Sequence, residues 1–153
     1  MRRSDREVTN PAELADILRR ANTIRLALHD EPYPYVVPLS YGFEVVDRTF
    51  LLYFHGAKQG RKHELIAKNP RVCVEADIMH RYAETPQGIT TVYESVIGAG
   101  TARRVEGAAA AKGLELLLVH CGYENYAYDR ADLDMTWVYQ IALESITGKR
   151  REV

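Results

Sequence analysis

Short apolar runs separated by turn signals make up most of the chain, and this pattern limits the folds that are open to it. Such runs are typical of β-strands. We predict strands at residues 23–28, 35–41, 49–54, 72–78, 90–105 and 137–146. Six strands with few helices in 153 residues predict a barrel-like α+β domain.

Two segments have the signals of longer helices. The first begins at Asn10, which can cap it, with Pro11 at the first helical position and Glu13 completing a capping box. Apolar residues then recur at helical spacing: Leu14, Ile17, Leu18 and Ala21. The second helix is predicted at residues 107–120, and a short one at residues 64–68.

Several positions interrupt the regular strand pattern. Pro38 removes a ladder donor, so its strand should be an edge, a bulge or the wall of a site. Gly98 and Gly100 predict a bend or bulge within one long strand. The polar segment 79–88 is predicted to be a loop. A second loop contains Tyr123, Tyr126 and Tyr128.

The composition excludes several classes of protein. The length predicts one domain, residues 1–153, and the net charge of −1 gives no general attraction to nucleic acid. Cys73 and Cys121 are far apart without zinc-ligand spacing, so a metal site is not expected. No apolar stretch reaches transmembrane length, and we expect a cytoplasmic protein without a membrane partner.

The segment 51–68 carries the strongest chemical signal. A strand leads into a loop with Gly56 and Gly60, and a helix opens at about Arg61, where free N–H groups attract anions. Three cations crowd this point: Lys58, Arg61 and Lys62. Cations oppose the helix dipole there, and a bound phosphate would explain them. A solvated basic turn, partly offset by Glu64, is the other interpretation.

Two common phosphate motifs are excluded by spacing. The loop is not a Walker A motif, because no Ser or Thr follows the lysine. It is not a dinucleotide fingerprint either, because the glycine spacing is wrong and no acidic residue follows in a βαβ unit. A phosphate ester of another kind fits better.

Four segments in order resemble one family. YFHGAKQGRKHEL at 53–65, followed by NPRV at 69–72, resembles the aromatic, loop, Arg-Lys, Leu and Asn-Pro pattern of the pyridoxamine-phosphate-oxidase-like proteins. PYVVPLSYGF at 34–43 is similar to a strand of the nitroimidazole-resistance group within it. YESVIGAG at 93–100 and ITGK at 146–149 resemble the later strand and the usual ending.

The resemblance implies a mainly β fold, a six-stranded antiparallel split β-barrel with short flanking helices. It also implies a homodimer with FMN at the protomer interface. In such a site, the phosphate would be held by Arg61, Lys62 and the backbone of His55, Gly56 and Ala57. The isoalloxazine would be lined by Pro38, Leu39, Ser40 and Tyr41, and the cofactor would be touched by Glu94 and Ser95.

The function implied is that of an FMN-dependent oxidoreductase acting on a small molecule, with nitroaromatic compounds among the candidates. His55 matches a histidine near the flavin and is the candidate catalytic residue, or else a loop histidine satisfied by backbone. Trp137 is interpreted as packing, and the remaining histidines as structural or exposed. The resemblance does not extend to vitamin B6 oxidation, because the ending lacks a Trp/Arg-rich segment.

Three alternatives stay open. The same pocket could belong to a non-catalytic flavin-binding or storage protein. The barrel could instead hold haem through a histidine, or the deazaflavin F420. A structural or nucleic-acid-binding protein is the least favoured, because the net charge is close to zero.

Overall fold

The computed structural model describes residues 3–127 and 135–152. Its strands are β1 (Glu7–Val8), β2 (Ile24–Leu28), β3 (Tyr35–Leu39), β4 (Gly42–Val46), β5 (Thr49–Ala57), β6 (Arg71–Thr85), β7 (Gly88–Val105) and β8 (Thr136–Arg151). Its helices are α1 (Pro11–Arg20), α2 (Arg61–Lys68) and α3 (Gly107–His120), after a 3-10 turn at Ser4–Arg6. In this described part of the chain, no helix has both the length and the apolar character needed to span a membrane.

All strand pairs are antiparallel and join in one sheet. The strand order is β3-β2-β6-β7-β8-β5-β4, and β1 also pairs with β8. β3 and β4 follow each other in the chain but stand at the two ends of this path. The prediction of a mainly antiparallel β split barrel with short helices is therefore confirmed.

The strand count exceeds the predicted six for two physical reasons. β1 has only two residues, too few to leave a periodic signal. The predicted strand 35–41 stops at Leu39, and the chain then begins the separate strand β4. β3 ends the sheet path, so of the three alternatives given for the strand containing Pro38 (an edge, a bulge or the wall of a site) the edge is observed.

The predicted loop at residues 79–88 is wrong. β6 continues to Thr85 and pairs with β7, which begins at Gly88, across a two-residue turn. Most side chains of this ribbon are open to solvent, so its polar residues resemble those of a loop. β7 has the predicted irregularity, because its register against β8 shifts between Ala99 and Gly100.

The core fills the inside of the barrel. Asn10 caps α1, accepting a hydrogen bond from the backbone N–H of Ala12 at 2.9 Å, as predicted. The helix then buries Leu14, Ile17 and Leu18. These residues pack in one cluster with apolar side chains from the sheet and α2, including Leu26, Leu52, Leu65, Val96 and Ile141.

Tyr41 ties the end of α1 to the rest of the fold. Its side chain is fully buried, and its hydroxyl lies 2.5 Å from the Leu18 carbonyl and 3.1 Å from the Ala21 carbonyl. His120, at the end of α3, lies 2.9 Å from the same Ala21 carbonyl through Nε2. Carbonyls at a helix end need such donors, since they have no partner within the helix.

We expect Tyr41→Phe to lower the free energy of unfolding by about 1–3 kcal/mol, because the Leu18 carbonyl would lose the Tyr41 donor, whereas the Ala21 carbonyl keeps His120. Urea unfolding followed by circular dichroism measures this. Tyr33→Phe is the matched control, because Tyr33 is 79% exposed and should change stability by less than about 0.5 kcal/mol. Equal effects of the two variants would contradict the role of the Tyr41 hydroxyl.

Candidate functional site

The candidate site is the β5–α2 turn, which we define as residues 55–63. β5 extends through Ala57, beyond the predicted end at residue 54, because it pairs with β8 as far as Ala57 and Thr136. Gly60 then precedes α2 with a φ of 130°, a conformation that favours glycine. No side chain caps this helix, so its first N–H groups face the turn without a side-chain acceptor.

The Lys62 side chain lies across the end of β5, and this position depends on the absence of a side chain at Gly56. A Cβ atom at position 56 would lie 2.5 Å from Lys62 Nζ and 2.8 Å from its Cε, closer than atoms can approach. The absence of a side chain at Gly56 therefore makes a cradle for the ammonium group. Within the described part of the chain, Lys62 forms no ion pair with a carboxylate.

His55 stands at the outer side of the same turn. Its side chain remains exposed, although neighbouring protein crowds one side of the ring. This partial desolvation, together with the charge of Lys62, lowers the pKa of His55. The neutral imidazole therefore predominates at neutral pH.

His63 is a buried member of the turn. It is 5% exposed, and its Nδ1 is hydrogen-bonded to the Tyr139 hydroxyl at 3.0 Å. Its ring stacks on Tyr139 and meets the edge of Trp137, each at 5.3 Å between centroids. Burial, then the charge of Lys62, lowers the pKa of His63, while the nearby Ala57 backbone, a potential hydrogen-bond partner of the ring, opposes this. That contact does not meet the distance and angle of a hydrogen bond, and no other atom of the described residues completes one to Nε2.

The buried Nε2 atom was not predicted as part of a site. The sequence analysis interpreted His63 as a structural or exposed histidine. The hydrogen bond between its ring and Tyr139 agrees with a structural role. Buried polar atoms are rarely left without a partner, so Nε2 marks a place where a further polar group is missing. Burial of the ring depends on the register of β5 against β8, which brings Tyr139 and Trp137 to it, and this register is not visible in the sequence.

Arg61 has a different environment. Its Nε donates to Asp30 Oδ2 at 2.8 Å, and its Nη2 donates to the same oxygen. The pKa of Asp30 is lowered, chiefly because Arg61 donates to its carboxylate. Asp30 belongs to the connection between β2 and β3, so this ion pair places the start of α2 beside the beginning of β3.

Pro38 and Ser40 lie on the outward face of the edge strand. Both are exposed, as is Val36, whereas Leu39 is half-buried against the core. Pro38 is three residues beyond Tyr35, at the start of β3, which corresponds to about 10 Å along a strand. We therefore take the β5–α2 turn and the outward face of β3 together as the candidate surface.

Three predicted site residues are not brought to this surface. The ring of Tyr41 is in the core, where burial also raises the pKa of its hydroxyl. Glu94 and Ser95 pair with Arg150 and Lys149 on β8, whereas Gly56 pairs with Trp137. Arg150 follows Trp137 by thirteen residues, a contour length of about 40 Å along the strand.

Glu94 is instead the buried centre of an ion-pair cluster whose basic partners are partly exposed. Its carboxylate lies 2.6 Å from Arg20 Nη1, 2.7 Å from Arg150 Nε and 3.1 Å from His80 Nε2. These hydrogen bonds, that of Arg20 above all, lower the pKa of Glu94 to about 2. Both carboxylate oxygens are occupied within the protomer.

Trp137 packs as predicted and also borders the turn. It is half-buried against the core, and the Arg104 guanidinium lies 4.8 Å from the centre of its ring. Because it pairs with Gly56, it lies beside the β5–α2 turn of its own protomer. Tyr123 and Tyr126 are exposed after α3, and Tyr128 lies outside the described residues.

A family model described as pyridoxamine 5'-phosphate oxidase matches residues 10–150. No curated protein sequence matches the chain at a significant level. Among solved structures, the chain is similar to a Bacteroides thetaiotaomicron protein described provisionally as a 5-nitroimidazole antibiotic resistance protein. The identity is 23% and the TM-score 0.83, over 94% of this chain and 85% of that one.

Two further structures share the fold. The flavocytochrome Anf3 from Azotobacter vinelandii is 16% identical with a TM-score of 0.82, over 100% of this chain and 72% of that one. The FAD and heme binding protein from Mycobacterium smegmatis is 19% identical with a TM-score of 0.77, over 97% and 74%. Identities this low establish the architecture alone.

We expect Glu94→Gln to lower the free energy of unfolding at pH 7 by about 1–3 kcal/mol. This is less than the loss of a fully buried ion pair would cost, because Arg20 is partly solvated. The pKa of Glu94 lies below the ordinary 4.5, so its carboxylate stabilises the fold above that pH. This contribution is lost as the pH falls toward 2. Urea unfolding of both proteins at pH 7 and pH 3 should therefore give a smaller difference at pH 3.

Glu152→Gln is the control for this prediction. Glu152 is also near Arg150, at 3.8 Å, but its side chain is 81% exposed. The control should change stability little at either pH. A Glu94→Gln effect that stays the same at pH 7 and pH 3 would rule out the ionised carboxylate as its cause.

Proposed function

The chain belongs to the pyridoxamine 5'-phosphate oxidase family, and from this membership and the geometry of the β5–α2 turn we propose that it is an FMN-binding flavoprotein. We further propose that it is an oxidoreductase whose substrates are small molecules, with nitroaromatic compounds as the first class to test. The fold is shared with a protein named for nitroimidazole resistance and with one named for binding FAD.

One observation carries the proposal. The Lys62 ammonium lies in the cradle at Gly56 without a carboxylate partner in the described residues, and the buried His63 Nε2 also lacks a partner there. A cation and an unsatisfied ring nitrogen, at the start of an uncapped helix, favour a phosphate dianion. The residues present therefore fit the phosphate end of a flavin mononucleotide.

The outward face of β3 suits the other end of such a ligand. Val36, Pro38 and Ser40 present an apolar, weakly hydrogen-bonding surface at an edge strand. Pro38 has no N–H to leave unsatisfied when a flat ring covers the strand. The distance of about 10 Å along β3 leaves room for a chain between ring and phosphate.

We also propose a homodimer with FMN at the protomer interface. Glu94 and Ser95 are too far along β8 from Gly56 to share a flavin with it inside one protomer, so Ser95 would act on the flavin bound to the partner. Large apolar side chains exposed on the sheet and its ribbon support such a contact: Val36, Met79, Tyr82, Ile89 and Ile97.

A bound flavin would supply the hydride or electron transfer. Lys62, with a smaller contribution from Arg61, would then fix its phosphate, and β3 would fix the plane of the ring. His55 is neutral at neutral pH because its pKa is lowered, so one ring nitrogen can accept a proton while the other donates. This makes it the candidate for proton delivery. The free Cys73 and Cys121 accord with a cytoplasmic, reducing location.

We expect the freshly purified protein to have the visible spectrum of a flavin, and the cofactor released on denaturation to run as FMN in chromatography. If FAD is released instead, the cofactor of this protein is FAD and not FMN. A haem Soret band or an F420 spectrum would support the corresponding alternative, and a colourless protein that takes up no flavin would overturn flavin binding.

Replacing both cations of the turn, Arg61→Ala with Lys62→Ala, should weaken FMN binding by at least about tenfold, because the charge-assisted contact of Lys62 and the smaller contribution of Arg61 are both lost. Circular dichroism should show that the fold is intact. The control variant replaces two surface arginines that each form an ion pair with an aspartate, Arg3→Ala with Arg19→Ala. It should bind FMN as tightly as the wild-type protein. Full flavin occupancy in the Arg61/Lys62 variant would disprove the site.

Activity is tested separately. We expect the flavin-loaded protein to oxidise NADH or NADPH only when a nitroaromatic acceptor is present, and His55→Gln to reduce this turnover while the flavin stays bound. No turnover with any donor and acceptor pair would instead favour a flavin-storage protein.

A further inference from the structure

The two adjacent cations at the start of α2 are not equivalent. Arg61 directs its Nε and Nη2 to a single oxygen of Asp30. Lys62 forms no carboxylate pair in the described residues and lies over Gly56, beside the partnerless nitrogen of His63. The charge of Arg61 is therefore already paired within the protein, whereas the charge of Lys62 is available to a ligand.

Asp30 is held where it is by more than Arg61. Its side chain is only 13% exposed, and its second oxygen, Oδ1, accepts the backbone N–H of Glu31 at 3.0 Å. Lys68, at the end of α2, adds a further positive charge facing the carboxylate. The negative charge is thus fixed to the connection between β2 and β3, within reach of any anion that approaches Arg61.

Such a carboxylate has two effects on an incoming anion. It occupies the side of the guanidinium that could otherwise form a paired contact with phosphate oxygens. It also repels a dianion, and this repulsion is larger in a partly covered site than in water. Glu64, which faces Arg61 from the next turn of α2, acts in the same direction.

We propose that Asp30 is a specificity-determining residue that lowers the affinity of the β5–α2 turn for phosphate by competing for Arg61, so that Lys62 carries the principal contact. This inference rests on the proposed function, because FMN is the phosphate ligand it concerns. It adds a residue outside the turn, from the connection between β2 and β3, to the site.

The test is a double-mutant cycle on Asp30 and Arg61, with dissociation constants measured by the quenching of flavin fluorescence. Asp30→Asn should bind FMN about fivefold more tightly, because a unit charge near a dianion is removed. Riboflavin, which lacks the phosphate, should bind equally to both proteins. The gain should shrink in high salt, where exposed charges are screened.

Arg61→Ala should have different effects in the two backgrounds. In the wild-type protein we expect a loss of about twofold in FMN affinity, and in the Asp30→Asn protein a loss of about tenfold, because the freed guanidinium then contacts the phosphate. Equal losses in the two backgrounds would overturn the competition. So would an Asp30→Asn protein that binds FMN no more tightly than the wild type, or one whose riboflavin affinity rises equally.

Two controls separate charge from folding. Asp30→Glu keeps the charge and should not tighten FMN binding, while thermal unfolding of each variant reports whether the fold is intact. Asp5→Asn removes the carboxylate of another arginine pair, Asp5 with Arg3, near the opposite end of β8, and should leave the affinity unchanged. A wild-type protein that binds no FMN would overturn the proposed function as well, whereas binding without the Asp30 effect would overturn only the role of Asp30.

Discussion

The pairing of β5 with β8 is the interaction on which the candidate site depends. The ladder runs from Leu51 and Ala142 to Ala57 and Thr136, and it carries β5 beyond its apolar core residues. On its other edge β8 is held by β7 over nearly its whole length. The last residues of β5 therefore occupy fixed positions, and the chain can turn sharply at Gly60 into α2 without loosening the site.

The charged cluster around Glu94 and the β5–α2 turn have opposite properties. Around Glu94, each arginine pairs with at least two carboxylates, and the residues that join it are Arg20, Arg150, Glu13 and Asp16. The β5–α2 turn has an excess of positive charge near histidines that are kept neutral by burial and by Lys62. The first cluster is complete without a ligand and joins α1 to the sheet. The second has a cation and a buried ring nitrogen without partners in the described residues, and this difference is the reason we propose it as the functional surface.

Much of the fold could be predicted because it is encoded by local signals. The cap at Asn10, the helix 107–120 and the bulge at Gly100 each depend on residues close together in the chain. The ribbon formed by β6 and β7 could not be predicted, since polar side chains on a solvent-exposed pair of strands have the composition of a loop. The strand register alone distinguishes the two.

The site was predicted only in part for the same reason. Sequence spacing placed Arg61 and Lys62 at a helix start, and the structure agrees. The partner of Arg61 comes from Asp30, and the partner of His63 from Tyr139, both distant in the chain. Such contacts depend on the tertiary fold and leave no local pattern, so the unequal environments of the two cations were not visible in the sequence.

The cradle at Gly56 has a consequence for how this family can diverge. A side chain at that position would take the space of the Lys62 ammonium group, and the flexible lysine would have to swing away from the end of β5. A homologue with alanine or serine at position 56 should therefore keep its lysine but direct the charge elsewhere. The direction of the charge at the anion site is thus set by a residue that carries no charge itself.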